Sequence, residues 1–389
     1  MDLSTLKKIT MKTKNLLLPG IAILSILFFT ACKKNPIGLC DGNVTIETTT
    51  KVFATGFNNP RGLKFGPDGY LYVAEGGVGG SNSSTTCAQV IPPIGPYTGS
   101  ATGSRISRVD PTGKVSAWVD NLPSSQTAAT GGGFVSGVAD ISFVGSTLYA
   151  VLAGAGCSHG VPSIPNGVIK IKPDRSWQMI ANLSEYQMNH RVANPEADDF
   201  EPDGTWYSME NVHGSLYAVE PNHGELDKIT TDGHISRISD ISASQGHIVP
   251  TAMAFHDGNF YVGNLNVFGN PLTVSSVFKI TPGGHLSVVA TGFKMILGLT
   301  FDELGAMYVL ETTTGHPFPT PGTGDVVRID RSGSRQVVVS GLNLPTGMTF
   351  GPDHKLYISN WGFGMPPVGG GQILQVTFAC DKIQGEKKL

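Results

Sequence analysis

The stretch "NPEADDFEPDG" sets five acids, Glu196, Asp198, Asp199, Glu201 and Asp203, within eight residues. Carboxylates at that density suit a hard cation, because calcium takes six to eight oxygen ligands at about 2.3–2.6 Å. Downstream, "VEPNHGEL" adds Glu220 and His223. Asp199, Glu201 and Glu220 are therefore candidate calcium ligands, and His223 is a candidate base. The competing reading is a solvated acidic loop. Arg61, Asp140 and Tyr207 form a second group, at or immediately before the small-residue position of the repeat described below. A buried charge persists only when it is paired or used, so Arg61 and Asp140 either pair with each other or hold an anionic ligand. His159, His247 and His316 lie in loops without metal-ligand spacing. The chain has no G-x-S-x-G elbow, H-E-x-x-H helix or G-x-x-x-x-G-K-[ST] phosphate loop. "SVFK" at Ser276–Lys279 fits S-x-x-K but has no companion motif, and the glycine-rich "GGVGGS" and "GAGCSHG" miss the dinucleotide pattern.

The elements that must carry these residues announce themselves by repetition. "DGYLYVAEGG" returns as "GSTLYAVLAG", "HGSLYAVEPN", "DGNFYVGNLN", "LGAMYVLETT" and "DHKLYISNWG", marked by Tyr72, Tyr149, Tyr217, Tyr261, Tyr308 and Tyr357. Ten residues or so upstream, a small side chain keeps step: Gly62, Asp140, Ser208, Ala252, Gly298 and Gly347. Each unit alternates with period two between glycine and aspartate turns, which argues for antiparallel strands. Units of about 40–50 residues holding four strands are propeller blades. The expected fold is all-β, a six-bladed β-propeller of four-stranded antiparallel blades. The last unit, Leu344–Cys380, supplies only three strands. "KVFATGF" at residues 51–57 matches the outer strands "LSVVATGF" and "RQVVVSGL", so it is expected to complete the sixth blade.

The third residue after each repeated tyrosine is Glu75, Leu152, Glu220, Asn264, Glu311 or Asn360. Three carboxylates in alternate blades stand too far apart to share an ion, since adjacent strands alone are about 4.7–4.9 Å apart. These acids and amides are expected to cap loop N–H groups beside the next blade. The repeated tyrosines are expected to pack between blades.

Composition sets further bounds. Glycine is 50 of 389 residues, about 13% against an average near 7%, and charged residues are 15%. That balance suits short strands joined by tight turns. Lys7, Lys8, Lys12 and Lys14 precede the apolar run "LLLPGIAILSILFF", which reads as a secretory signal. Cys32, directly after Thr30 and Ala31, resembles a bacterial lipoprotein box, so a lipid anchor is expected there, with translation starting at Met1 or Met11. Losing four lysines and one aspartate with residues 1–31 takes the net charge from −3 to −6, which argues against a nucleic-acid partner. With Cys32 lipidated, four cysteines remain for an oxidising compartment. Their places in the repeat pair Cys40 with Cys380 across the closure, and Cys87 with Cys157 between the first two blades.

"NNPRGLKFGPDGYLYVAEGG", "TGSRISRVDPTGKV" and "NPEADDFEPDGTWYSM" resemble the ScyD/ScyE family, secreted NHL-like six-bladed propellers, over roughly residues 45–380. The resemblance implies the fold and export, and it brings no catalytic residue with it. The organisation expected is a signal and lipidated cysteine at 1–32, a tether at 33–44, the propeller at 45–380 and a tail at 381–389. Long loops at 76–103, 153–166, 184–206, 265–276, 312–325 and 361–371 fall on one face, where function is expected. The leading reading is an exported, lipid-anchored monomer that binds a small molecule, glycan or protein there. The alternative is an enzyme resembling calcium-dependent lactonases and hydrolases, or quinone-dependent sugar dehydrogenases.

Overall fold

The structure is a computed structural model and describes residues 45–195, 201–266, 274–362 and 368–381. Six antiparallel sheets follow one another along the chain. The first comprises Pro60–Phe65, Leu71–Glu75, Thr98–Val109, Val115–Gln126 and the short Val135–Ser136. The second is Val138–Val144, Thr147–Leu152, Gly167–Ile171 and Trp177–Asn182; the third is Ser208–Val212, Ser215–Glu220, Glu225–Ile229 and Ile235–Asp240. The fourth is Pro250–His256, Asn259–Asn264, Ser275–Ile280 and Leu286–Phe293; the fifth is Ile296–Phe301, Met307–Glu311, Gly324–Ile329 and Arg335–Leu342. The sixth joins Gly347–Phe350, Leu356–Asn360 and Gly371–Asp381 to Thr45–Phe57. Inner strands of consecutive sheets touch, and that of the sixth touches that of the first, so the sheets close into a six-bladed propeller.

Two details differ from the four-strand pattern read in the sequence. The closing strand begins at Thr45, six residues before the matched "KVFATGF", and pairs from Thr45 with Asp381 to Phe57 with Gly371. Blade one carries a fifth strand, because Ser125 and Gln126 pair with Ser136 and Val135 as the chain turns toward blade two.

Packing between blades repeats a single contact. At four junctions the marker tyrosine of one blade meets a phenylalanine at or next to the end of the inner strand of the next, with edge-on rings: Tyr72 with Phe143, Tyr261 with Phe301, Tyr308 with Phe350 and Tyr357 with Phe65, at centroid separations of 5.1, 4.9, 5.0 and 5.0 Å. Such aromatic pairs contribute about 0.5–1.5 kcal/mol beyond area burial. In blade three Asn211 holds that place, and its amide donates to the Phe143 carbonyl at 2.7 Å instead. Small residues line the axis because blades crowd there. A Cβ on Gly62 would lie 1.8 Å from Asp140 Oδ1, and one on Gly347 2.8 Å from the Arg61 carbonyl oxygen.

The acids and amides after the tyrosines do cap loop backbone, but in the crossover that leads into their own blade. The Asn58 N–H donates to Glu75 Oε2 at 2.6 Å, Thr205 N–H to Glu220 Oε1 at 2.9 Å and Asn343 N–H to Asn360 Oδ1 at 2.8 Å. Lys294 N–H donates to Glu311, and Asn264 Nδ2 donates to the Ile248 carbonyl at 2.9 Å. Charge balance differs from blade to blade. Glu75 faces Arg105 Nε at 2.7 Å. Glu311 faces Asp325 across the strand pair.

The disulfide between Cys87 and Cys157 is formed, with a Cα separation of 6.2 Å, and points to an oxidising, exported compartment. Cys380 is disulfide-bonded; Cys40, expected to be its partner, and Cys32 lie outside the described residues.

Burial, reinforced by the Asp325 charge, pushes Glu311 up to about 8. A carboxyl whose pKa is raised in the folded state binds its proton more tightly there, so stability falls as pH rises from the ordinary carboxyl range toward 8. Glu311→Gln keeps an acceptor for Lys294 N–H and removes the charge. Thermal melts should show the variant more stable than the parent at pH 8, by on the order of a few degrees, with the gain shrinking toward pH 5.

Candidate functional site

A cavity of about 140 Å³ opens among the long loops at the mouth of the ring. Its wall is mostly apolar and aromatic: Tyr97, Phe134, Trp206, Tyr207, Val249, Leu265 and Leu297. Arg61, Glu201, Asn222 and His247 add polar atoms. Tyr97 comes from the first long loop, Glu201 and Trp206 from the crossover into blade three, and Arg61 from the start of the first inner strand. The Glu220 cap positions this crossover directly, since it holds Thr205 N–H immediately before Trp206 and Tyr207.

Tyr207 divides the axis. Its hydroxyl reaches from blade three to blade six and donates to the Thr346 carbonyl at 3.0 Å, and burial pushes its pKa up to about 12. Beneath it lies a chamber of about 30 Å³ lined by Lys64, Asp140 and Glu210, room for roughly one water. Arg61 and Asp140 thus serve different chambers. Asp140 accepts from Met209 N–H and Ile141 N–H, both at 2.8 Å, and Lys64 supplies the nearby positive charge. Burial dominates and pushes Asp140 up to about 6. Lys64 donates to the Glu210 carboxylate. Arg61 donates to the Val135 carbonyl.

The acidic stretch divides as well. Asp199 lies outside the described residues. Asp203 is buried and accepts from Ser158 N–H at 2.7 Å and Ser158 Oγ at 2.6 Å. Glu201 lines the cavity, accepts from the Tyr97 hydroxyl, and uses its own N–H to reach Asn222 Oδ1 at 2.8 Å. Glu220 is fully buried, with Oε1 engaged by Thr205 N–H and Oε2 by His223 N–H. Burial pushes Glu220 up, but the His223 charge and the N–H donors outweigh it and leave its pKa lowered. His223 stands 3.4 Å from Glu220 Oε2, which raises its pKa against the opposing effect of burial. Its neighbours Pro221 and Asn222 line the cavity, and His223 itself does not. Among the described residues no three acidic, histidine or cysteine side chains converge as a metal site. Both oxygens of Glu220 already accept a backbone N–H, and Asp199, the third expected calcium ligand, lies outside the described residues.

Nothing in the repeat marks Tyr97, Trp206 or Asn222 as wall residues, and His247, expected to be a loop histidine, joins them in the lining. Beneath Glu201 lies His159, fully buried, with Nδ1 2.8 Å from Ser125 Oγ and Nε2 3.6 Å from Glu201 Oε2. The Tyr97 ring meets the His159 ring edge-on at 4.8 Å. The Cys87–Cys157 bridge ties the Tyr97 loop to the loop bearing Ser158 and His159.

No family model matches the chain, and no curated protein matches it. Solved structures share its fold. A protein of unknown function from Bacteroides thetaiotaomicron superposes with a TM-score of 0.53 at 13% identity, over 86% of this chain and 77% of that one. A PQQ-bound aldose sugar dehydrogenase from Streptomyces coelicolor gives 0.52 at 15% identity, over 86% and 100%. A gluconolactonase from Xanthomonas campestris gives 0.51 at 11% identity, over 85% and 90%. At such identities the likeness is one of fold.

The bridge spans a sequence separation of 70 residues, so its removal should release about 4 kcal/mol of chain-entropy constraint. Denaturant unfolding of the Cys87→Ser, Cys157→Ser double variant should show a loss of roughly that size.

Proposed function

We propose that this chain is an exported, lipid-anchored propeller of the ScyD/ScyE type that binds a small ligand in its loop-lined mouth. One observation carries the reading: a preformed, largely apolar cavity that includes Tyr97, Phe134, Trp206 and Tyr207 together with a few polar groups, the usual character of a ligand site. Tyr207 closes the floor of that cavity and a rigid ring holds its walls, which favours recognition of a compact molecule over passage through the axis. The lipoprotein reading rests on the lysine-rich start, the apolar run and Cys32 in "FFTAC", and the disulfide agrees with export.

The catalytic alternative draws on the printed activities of structural neighbours that share the fold alone, and fold does not determine function. Of the residues expected to serve it, His223 is not among those lining the cavity, and Glu220 is occupied as a cap.

Trp206 is fully buried and lines the cavity, so it reports occupancy. A fragment screen by tryptophan fluorescence should find ligands whose signal disappears in Trp206→Phe and whose binding disappears in Ala153→Phe, which fills the cavity. Absence of any such ligand would overturn the reading. For the anchor, Cys32→Ser should move the protein from the membrane fraction to the soluble one.

A further inference from the structure

The crossovers into blades one, four, five and six share a backbone feature. Three positions before the small residue of the repeat, Asn59, Val249, Met295 and Leu344 have a left-handed backbone, with φ of 51°, 54°, 44° and 44°. The fold uses that conformation. It accompanies a carbonyl of Asn59, Val249 and Met295 that accepts the N–H following each cap, with Gly76, Leu265 and Thr312 donating at 2.8, 2.8 and 3.0 Å. Asparagine visits this region readily, whereas a β-branched residue there is an outlier and carries strain. Methionine and leucine lack the branch at Cβ. Proline follows Asn59 and Leu344 as well as Val249, so the next residue does not account for the difference. Nothing in the crossover itself calls for a valine.

Val249 is set apart by its position. Of these four residues it alone lines the cavity. It is buried in a cluster with Leu265 and Leu297, against which Tyr207 and Met295 pack. Valine carries both methyls directly on Cβ and has little freedom at χ1, so it makes a short, stiff wall. Leucine or methionine at this place would reach further into the cavity.

We infer that Val249 is a specificity-determining residue of the mouth: a strained choice for the fold, and the fitting one for a ligand that seats a compact hydrocarbon group against Val249, Leu265 and Leu297. This rests on the reading of the mouth as a ligand site. The size follows from the volume, about 140 Å³, close to the roughly 150 Å³ that accommodates benzene. The hydrocarbon character follows from the three side chains of this wall, none of which has a polar atom.

Toluene, ethylbenzene and propylbenzene, titrated against the protein with Trp206 fluorescence as readout, test the assignment alongside thermal melts. Val249→Leu should melt about one to three degrees above the parent, because it removes the branch and fills space. It should also weaken the largest homologue that the parent binds by about tenfold or more, the scale of one methylene in an apolar pocket. Val249→Ala shortens the wall and should shift the preference the other way, raising the ratio of propylbenzene to toluene affinity by about threefold or more. Val249→Met repeats the leucine comparison with the residue that blade five has at this place. Leucine and methionine variants that both melt at or below the parent, or fail to fold, would show that the branch serves the fold, and would overturn the assignment. Higher melting temperatures with the three affinities unchanged in every variant would overturn the selectivity and leave a ligand site in place. Failure of all three homologues in a protein that binds other fragments at Trp206 overturns the hydrocarbon group alone. Failure of every fragment overturns the ligand site with it.

Discussion

A propeller blade hydrogen-bonds itself along its ladders, but the chain must leave each ladder to cross to the next blade, and the backbone N–H groups of that crossing have no strand to meet. Buried backbone donors are nearly always paired. This protein meets the constraint with the side chain that ends the second strand. Glu75, Glu220, Glu311 and Asn360 each accept an N–H from the crossover into their own blade, and Asn264 donates to a crossover carbonyl. The crossovers then run directly into the residues at the top of the axis: Arg61 follows Asn58 by three positions, and Tyr207 follows Thr205 by two. The caps therefore set the wall of the cavity as well as the spacing of the blades.

Blade two is the exception and shows what a missing cap allows. Leu152 has no side-chain acceptor, and the crossover before that blade is long, contributing Thr127, Phe134, Ser136 and Gly137 to the cavity. It is fastened by other means. Val135–Ser136 forms the extra strand of blade one, and Ala153 N–H donates to the Gly137 carbonyl at 2.8 Å. The disulfide then ties the two loops that flank this region. The side of the mouth with the most irregular backbone thus has the covalent support, and there Tyr97, His159 and Glu201 come together.

Much of the architecture was legible because it repeats. The six tyrosines, the small residues upstream and the homology of residues 51–57 to outer strands all express one packing unit, so any copy could be checked against the others. The closing strand was placed correctly but began too late, since "TIETTT" before it lacks the apolar alternation that marks its relatives. The caps were recognised as caps but assigned to the wrong loop, because spacing along the chain does not reveal which crossover lies above a strand end. The cavity was legible only as a face. Tyr97 and Trp206 sit in unique loops, and neither period nor motif distinguishes a wall residue from a loop residue. Acid density pointed to residues 196–203, but it could not show that Asp203 would turn to Ser158 and Glu201 to Tyr97.

The capped crossovers can be observed one amide at a time. Native-state hydrogen exchange of the Asn58, Thr205, Lys294 and Asn343 amides reports whether their acceptors hold them. The account predicts protection close to that of the inner strands, reaching the stability of the whole ring. Exchange at those four amides as fast as at the tips of the tight turns would contradict it.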